Sequence, residues 1–380
     1  MEPLQNGHVR ELNRLSVYRI LQSNRKLSRA DIARATLLSA PTVASIVQGF
    51  VAAGLAAEVG QAYSAGGRPA QLVRFVSDAR HVLSLDLSGN HARGAAIDLL
   101  GAVQGSFDGP KLAPGSENAL FTWLGEVLSR HSRTGTNIAR LAVAVPGVVA
   151  PRSGHVRLAP ALGWDDYPLA EKLHRETGLE AVLENDVNAL AIAELHYGSG
   201  RHHHHVLYVA IGSGIGAGLV IDGRLYRGAD SAAGEIGYSI LPHVAVPAKI
   251  NLGIPGPLEQ HLLELIPAFS DSAGHLQLEG AASRQAFETF ADDLGLILHN
   301  LTCLLNPELV VIAWPIGAER LIARLQAGWR SPLSLKIAPA ALGPDAALRG
   351  VARLALDGLE QELCASRAPA GGEHALAYGL

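Results

Sequence analysis

The chain has 380 residues, more than one hydrophobic core usually supports, so we expect two or three domains. Apolar residues make up 48% and charged residues 17%, which excludes a disordered chain, and the net charge of −4 confines any nucleic-acid surface to a local basic region. Two cysteines without metal-ligand spacing, no signal-peptide pattern and no apolar run long enough for a membrane span favour a cytoplasmic protein with no membrane partner.

Residues 1–76 show the pattern of a winged helix-turn-helix. Apolar spacing predicts a first helix over 12–21. Ser28 is placed to cap a second helix, with Asp31 as a short capping-box acid, and Ser39 is placed to cap a third with Pro41 in its first turn. The third helix carries an apolar stripe of Val43, Ile46, Val47 and Phe50. Two strand-like runs around a glycine-rich turn then predict the wing.

This module is predicted to bind double-stranded DNA. The outward face of the third helix meets base edges in such a layout, and a Gly-Arg-Pro wing suits a narrow minor groove. Cationic residues, Arg14 and Arg19 among them, outnumber acidic ones here although the whole chain is acidic, and their charge is expected to lie where a duplex would bind. The alternative is a three-helix packing module that binds no DNA. The candidate contacts are Arg29, Ser39, Pro41, Thr42, Ser45, Gln48, Gly67, Arg68 and Pro69.

The remainder predicts an α/β body of two similar lobes. Strand-and-hairpin openings at 82 and 206 resemble two copies of one motif, which indicates a cleft between the copies. We expect lobe 1 over 79–183, with a loop over 148–164, completed by a helix over 346–364. Lobe 2, with a dimerisation surface and a strand over 333–338, is expected over 184–345, and a loose tail over 367–380.

A glycine turn lies at the centre of the second lobe. Strand 206–211 runs into alternating glycines and a second apolar run, and such glycines bring backbone N–H groups close to a bound phosphate or polyol. The alternative is a tight hairpin that binds nothing. The turn residues singled out are Gly212, Ser213, Gly214 and Gly216.

Two polar clusters have open interpretations. Asn185 and Asp186 stand at a predicted helix start, where they either hold sugar hydroxyls or cap the helix. His202–His205 is interpreted as a solvated loop before the strand, because adjacent residues of an extended segment point to opposite faces and at most two of the four chelate together.

In this order the motifs resemble the ROK family of repressors and sugar kinases, within the actin-like ATPase (ribonuclease H-like) fold. The matching pieces include Ser28–Ala33, Gly67–Pro69, Val145–Gly147, Glu184–Ala189, Gly212–Gly218, Gly234–Gly237 and Asn306–Glu308. The resemblance implies a repressor of carbohydrate genes whose kinase-like body senses a sugar and dimerises or tetramerises. It also implies a ligand set of Gly147, Asn185, Asp186, Glu235, Tyr238 and Glu259.

Departures from the family pattern predict lost catalysis. Tyr238 stands at the family's zinc-binding His, and the thiolate run reads Ile250 to Glu259, so no zinc is expected there and apolar packing of Ile250, Leu252 and Pro257 is expected instead. The adenine contact and the first phosphate turn are altered, and Ala161 replaces a sugar-binding Asn. Asp186 matches the kinase base but is interpreted as vestigial, with no cofactor and no enzyme activity. An active ATP-dependent hexose kinase is the alternative.

Overall fold

The computed structural model describes residues 6–23, 26–62, 69–271, 275–315 and 317–365. The helices are α1 Asn6–Leu21, α2 Arg29–Thr36, α3 Ala40–Ala52, α4 Glu117–Arg133, α5 Leu169–Thr177, α6 Asp186–Tyr197, α7 Pro257–Leu265, α8 Ala281–Leu305, α9 Ala318–Gly328 and α10 Ala346–Cys364. The strands are β1 Leu27–Ser28, β2 Ala56–Gln61, β3 Gln71–Phe75, β4 His81–Asp86, β5 His91–Asp98, β6 Val103–Lys111, β7 Ile138–Val145, β8 Val148–Ala150, β9 His155–Ala159, β10 Trp164–Tyr167, β11 Ala181–Asn185, β12 Val206–Ile211, β13 Ile215–Ile221, β14 Arg224–Tyr226, β15 Leu309–Ala313 and β16 Ile337–Pro339.

The N-terminal module packs α1, α2 and α3 against a small antiparallel sheet of order β1-β3-β2. Ser28 and Asp31 form the predicted capping box, because the Ser28 hydroxyl accepts the Asp31 N–H at 3.1 Å while the Asp31 carboxylate accepts the Ser28 N–H at 3.0 Å. Ser39 caps α3 and Pro41 lies in its first turn, as predicted. The predicted stripe on α3 is buried throughout. Gly67 and Arg68 of the predicted wing lie outside the described residues.

Two five-stranded sheets share one topology. Their orders are β11-β7-β4-β5-β6 and β14-β13-β12-β15-β16, so each sheet has an antiparallel hairpin at its centre and two parallel strands on one side. The hairpins are β4-β5 and β12-β13, at the two positions where the sequence showed a repeated motif. The expectation of two similar α/β lobes is confirmed.

Two segments predicted from the sequence, 148–164 and 333–338, have a different secondary structure from the one expected. Residues 148–164 were expected to form a loop, but β8, β9 and β10 form a separate antiparallel sheet. Its strands have only three to five residues, too short to show a clear alternation of apolar and polar side chains. A strand expected over 333–338 is limited to Ile337–Pro339. The predicted tail, 367–380, lies outside the described residues.

Helices α6 and α10 cross at very short distance. A Cβ added to Gly350 of α10 would lie 1.7 Å from the Ala189 carbonyl oxygen of α6, so only glycine permits this approach. Helix α10 also lies on the lobe 1 sheet, where the Ser84 hydroxyl donates to the Leu348 carbonyl at 2.7 Å. The last helix therefore completes lobe 1 and contacts the helix that begins at Asn185.

The other side of α10 carries the N-terminal module. Arg14 of α1 donates to the Cys364 and Leu363 carbonyls at 2.9 and 3.1 Å, and Arg19 pairs with Glu360 at 2.9 Å. Buried side chains of the module and of lobe 1 form one continuous apolar cluster. The module is thus docked on the body through α10.

Among the described residues, no single helix has the length and apolar character to cross a membrane. Only α2 and α3 taken together, with a bend of 116° between them, meet those two criteria.

Candidate ligand-binding cleft and nucleic-acid interface

A cleft of about 920 Å³ opens between the lobes, lined by the chain segments that follow β7, β11, β12 and β15. Every candidate ligand residue and every residue singled out in the glycine turn lines it. These are Gly147, Asn185, Asp186, Glu235, Tyr238, Glu259, Gly212, Ser213, Gly214 and Gly216. Residues far apart in sequence are therefore brought to one site.

Asn185 caps α6 and also ties that helix to the neighbouring wall. Its Oδ1 accepts the Asn188 N–H at 3.0 Å, which is the capping interpretation. Its Nδ2 donates to the Gly147 carbonyl at 2.9 Å and to Asp186 Oδ1 at 3.1 Å. Gly147 has a φ of 122°, and a Cβ there would lie 2.2 Å from the Leu158 carbonyl oxygen. The amide thus fixes the orientation of the Asp186 carboxyl.

Asp186 has an unusual protonation equilibrium. Burial raises the pKa of its carboxyl to about 7, the nearby charges of Asp86 and Glu235 act in the same direction, and the Val187 N–H, at 2.9 Å, opposes them. Asp86 was not among the predicted site residues. It ends β4 and accepts the Ser88 N–H at 3.0 Å, and the signal for it was a strand that runs into an acid and a small-residue turn. Near neutral pH the Asp186 carboxyl is able to donate or accept a hydrogen bond.

Glu259 supports the glycine turn from behind. Its Oε1 accepts the Ile215 N–H at 3.1 Å, and its Oε2 accepts the Gly256 N–H at 3.2 Å. A Cβ at Gly214 would lie 2.6 Å from Glu259 Oε1, so a larger residue there would displace this carboxylate from its position. Burial and the Glu259 charge raise the pKa of Glu235. Glu259 thus connects the glycine turn to the residue that precedes α7.

An ion pair behind the cleft joins the lobes. The carboxylate of Glu184, at the end of β11, is buried and lies 2.7 Å from the guanidinium of Arg227, which follows β14 in lobe 2. The same carboxylate accepts the Asn188 side-chain amide at 3.0 Å. Glu184 belongs to the motif that was singled out, but its partner Arg227 was not recognised because 43 residues separate the two.

The charge lining the cleft is of one sign. Among the described lining residues there is no Lys or Arg, whereas four carry carboxyl groups: Asp186, Glu235, Glu259 and Glu319. Carboxylates repel phosphates and accept hydrogen bonds from hydroxyl groups. The lining therefore suits a neutral polyol better than a phosphorylated molecule.

The N-terminal module exposes a small polar face on α3. Ser39, Pro41, Ser45 and Gln48 are exposed and Thr42 is half-buried, with its hydroxyl 2.8 Å from that of Ser39. Four of the nine predicted contacts are hence accessible on this helix and its cap, and Pro69 is exposed at the edge of the wing.

The predicted positive charge of this module is partly wrong in its placement. Arg14 donates to the C-terminal carbonyls of α10, and Arg19, although its side chain is 65% exposed, pairs with Glu360 of that helix. Arg29, a predicted DNA contact, pairs with Glu58 on β2 at 2.8 Å. Sequence counts of cations do not distinguish arginines that dock two parts of a chain from arginines that face a partner.

The chain is similar to known proteins over most of its length. The ROK family profile matches residues 82–257. A protein named "Putative xylose repressor" from Caldicellulosiruptor sp. (strain Rt8B.4) is 30% identical over 332 residues, which cover 80% of this chain and 83% of the relative. The chain belongs to the ROK family. The xylose repressor of Bacillus subtilis (strain 168) is 23% identical over 94% of this ROK chain and 98% of its own length.

Solved ROK structures show the same fold. A ROK family transcriptional regulator described as a homologue of the E. coli MLC protein superposes with a TM-score of 0.74, at 20% identity, over 94% of this chain and 98% of its own. A ROK glucokinase from Streptomyces griseus, in complex with glucose and AMPPNP, reaches 0.58 at 20% identity over 72% of this chain and 98% of its own. The regulator thus matches a larger share of the chain than the kinase does.

The residues at the family's zinc position do not fit a zinc ion. The Tyr238 hydroxyl donates to the Ile254 carbonyl at 2.9 Å and accepts the Gly253 N–H at 3.1 Å, so it holds this loop directly. Apolar packing by Ile250 and Leu252 was expected and is wrong, because they are 37% and 57% exposed, whereas Pro257 is buried as expected. A phenol hydroxyl that bonds to backbone groups needs neither thiolates nor apolar burial to order the loop.

Ala313, Trp314 and Pro315 stand at the end of β15 in place of the family's adenine contact. Trp314, which follows β15, is only 5% exposed and stacks on Phe290 with 5.3 Å between ring centroids. The indole therefore belongs to the lobe 2 core, and Trp314 is also one of the residues that line the cleft. Ala161, where a sugar-binding Asn was expected, also lines the cleft.

Proposed function

We propose that this ROK protein is a DNA-binding transcriptional repressor of carbohydrate genes whose kinase-like body senses a neutral sugar. The observation that supports the sensor most directly is the one-signed lining of the cleft, with four carboxyl groups and no cation among its described residues. A phosphate group would enter this lining without a counter-charge, whereas sugar hydroxyls would find acceptors. The repressor names of the relatives and the nearly complete superposition on a ROK regulator support the same function.

For the DNA-binding end, we assign residues 1–76 to a winged helix-turn-helix. Helix α3 is the recognition helix in this proposal, with Ser45 and Gln48 directed at base edges and the Ser39 cap near the phosphates. Arg29, Thr42 and the wing segment Gly67–Pro69 complete the contact set. Because one such module reads few base pairs, the functional unit is proposed to be a homodimer or a tetramer on a two-fold symmetric site.

The body is proposed to report its ligand state to the DNA through two helices. Helix α6 begins at Asn185 and Asp186 in the cleft, and it crosses α10 at Gly350. The C-terminal carbonyl of α10, at Cys364, accepts a hydrogen bond from Arg14 of α1, and the Arg14 guanidinium lies 4.9 Å from the Phe50 ring of α3. A shift of α6 on closure of the lobes would therefore move the support on which the recognition helix rests.

The test is calorimetric titration of the full chain with unmodified pentoses and hexoses, alongside their phosphate esters. We expect one neutral sugar to bind with a dissociation constant at least tenfold below that of its phosphate ester, and Glu235→Gln to weaken that binding. Preference for the ester would contradict the charge reasoning. Glu171→Gln serves as the control, because it makes the same substitution at an exposed carboxylate of α5 that does not line the cleft.

One observation favours the kinase alternative. The Asp186 carboxyl, with a pKa raised by burial to about 7, has the protonation equilibrium of a general base at neutral pH. ATP-dependent phosphorylation of a hexose that is abolished by Asp186→Asn would establish this second function. A complete lack of turnover with a sugar that binds would exclude the kinase function and leave sugar sensing as the only function of the cleft.

A further inference from the structure

Three metal-ligating side chains converge outside the cleft. His243 follows the Tyr238 segment, His261 lies on α7, and Asp293 lies on α8. One donor atom of each lies within 4.8 Å of the donor atoms of the other two. The Nε2 atoms of His243 and His261 lie 3.1 and 2.7 Å from carboxylate oxygens of Asp293. We propose that these residues form a binding site for a divalent transition-metal ion of the Zn²⁺ class.

The spacing of the donor atoms is close to that of a metal site. Zinc binds imidazole nitrogen and carboxylate oxygen at about 2.0–2.2 Å, so neighbouring ligand atoms of a tetrahedral site are separated by roughly 3.3 Å. The observed separations of 2.7 and 3.1 Å need to open by a few tenths of an ångström. Small side-chain rotations would supply this change.

The three proposed ligands differ in exposure, so that the site is closed at one end and open to solvent at the other. The Asp293 side chain is 8% exposed, that of His261 is 23% exposed and that of His243 is 52% exposed. The carboxylate is therefore at the base, and water reaches the site past His243. Three protein ligands leave a fourth position for water.

Asp293 has a physical reason to bind a cation. Its neighbours on α8, including Phe290 and Leu294, belong to the apolar core of lobe 2. A buried carboxylate is costly unless a positive charge lies beside it. A dication bound by both imidazole rings would lie beside this carboxylate and compensate its charge directly.

The proposed metal would fasten the segment that forms one wall of the cleft. Tyr238 and residues 252–255 line the cleft, and His243 lies between them in sequence. On α7, His261 follows Glu259, which supports the glycine turn. The ion would link both structures to α8, so its binding would order a wall of the sensor without contact to the sugar.

The experiment measures Zn²⁺ and Co²⁺ binding to the full chain, purified without a histidine tag. We expect one equivalent to resist dialysis and Co²⁺ to show visible d–d bands without a thiolate charge-transfer band. Loss of a residue that merely supports a metal ligand costs about 10–100-fold in affinity, so losing a ligand is expected to weaken binding by at least about 100-fold. Asp293→Asn and His243→Ala are the two ligand variants, the second chosen because His243 is exposed and its removal leaves the core intact.

Three controls exclude other loci. His275→Ala removes an exposed histidine whose Nδ1 lies 3.2 Å from Asp271, and neither residue belongs to the proposed site. Replacement of His202–His205 by serine tests the histidine run, and Cys303→Ser tests the Cys303–His299 pair, which is separated by 3.7 Å. All three are expected to keep the full equivalent. Absence of binding by the native chain, unchanged binding in both ligand variants, or loss of binding in any control would overturn the proposal.

Discussion

Replacement of Asp186 by Asn is expected to stabilise the folded protein at neutral and alkaline pH. The Asp186 carboxyl lies in the cleft at the start of α6, and burial raises its pKa to about 7 from an ordinary value of 3.8. Asn has nearly the same shape as the protonated acid, and its Oδ1 is able to accept the same Val187 N–H. The substitution therefore removes the cost of a buried charge and keeps the local hydrogen bond.

The magnitude and sign follow from proton linkage. Below about pH 4 both states hold the proton and the charge costs nothing. Between about pH 4 and 7 the unfolded chain releases its proton while the folded chain keeps it, so stability falls as pH rises. A difference of about 3 pKa units corresponds to about 4 kcal/mol at 1.36 kcal/mol per unit. Because the cleft admits water, we expect a measured gain of about 2–4 kcal/mol at pH 8.

Urea unfolding of the full chain, followed by tryptophan fluorescence between pH 4 and 8, measures this gain. The difference between Asp186→Asn and the native chain should be near zero at pH 4 and grow through pH 7. Asp165→Asn, which removes an exposed carboxylate from β10, is the matched control and should show a flat difference. A destabilising, or pH-independent, effect of Asp186→Asn would refute the reasoning.

Three further predictions concern the path from the cleft to DNA. In urea unfolding, Gly350→Ala should destabilise the chain by about 3 kcal/mol or more, because its Cβ would lie 1.7 Å from the Ala189 carbonyl oxygen. The control Gly125→Ala, on α4 with no neighbour within 4 Å, should stabilise the chain by about 1 kcal/mol. Equal effects of the two substitutions would contradict the helix crossing. Arg14→Ala should retain sugar binding and DNA binding in separate titrations but reduce the effect of the sugar on DNA affinity at least fivefold; unchanged coupling would exclude the α10 route. Gln48→Ala should reduce affinity for the specific duplex by about 1–3 kcal/mol and leave non-specific affinity unchanged in gel-shift titrations, and an equal loss on both duplexes would show that Gln48 does not read bases.

The elements that the sequence predicted well are those with local signals. Ser28 and Ser39 precede amphipathic or apolar helices, and their hydroxyls form the expected caps within three residues. The two lobes were predictable because a β-branched strand running into glycines occurs twice. Asn185 shows the limit of such signals, since capping and cleft lining were treated as alternatives and the structure shows both.

The features that were missed depend on contacts between distant parts of the chain. Arg14 and Arg19 reach α10 across about 340–350 residues, so charge counting assigned them to DNA. Glu259 was expected at the ligand; it lines the cleft and also accepts the backbone N–H groups of Ile215 and Gly256, which no spacing rule indicates. The His243, His261 and Asp293 cluster was invisible because its members lie 18 and 32 residues apart, without a recognised metal motif.

The most direct measurement is the binding of the full chain to fragments of genomic DNA, mapped with and without a neutral sugar that binds the cleft. The account predicts site-specific, two-fold symmetric DNA segments, an affinity that falls steeply with added salt, and a sugar-dependent change in occupancy that disappears in a cleft variant that no longer binds the sugar. Binding without sequence preference, or occupancy that is the same with and without bound sugar, would contradict it.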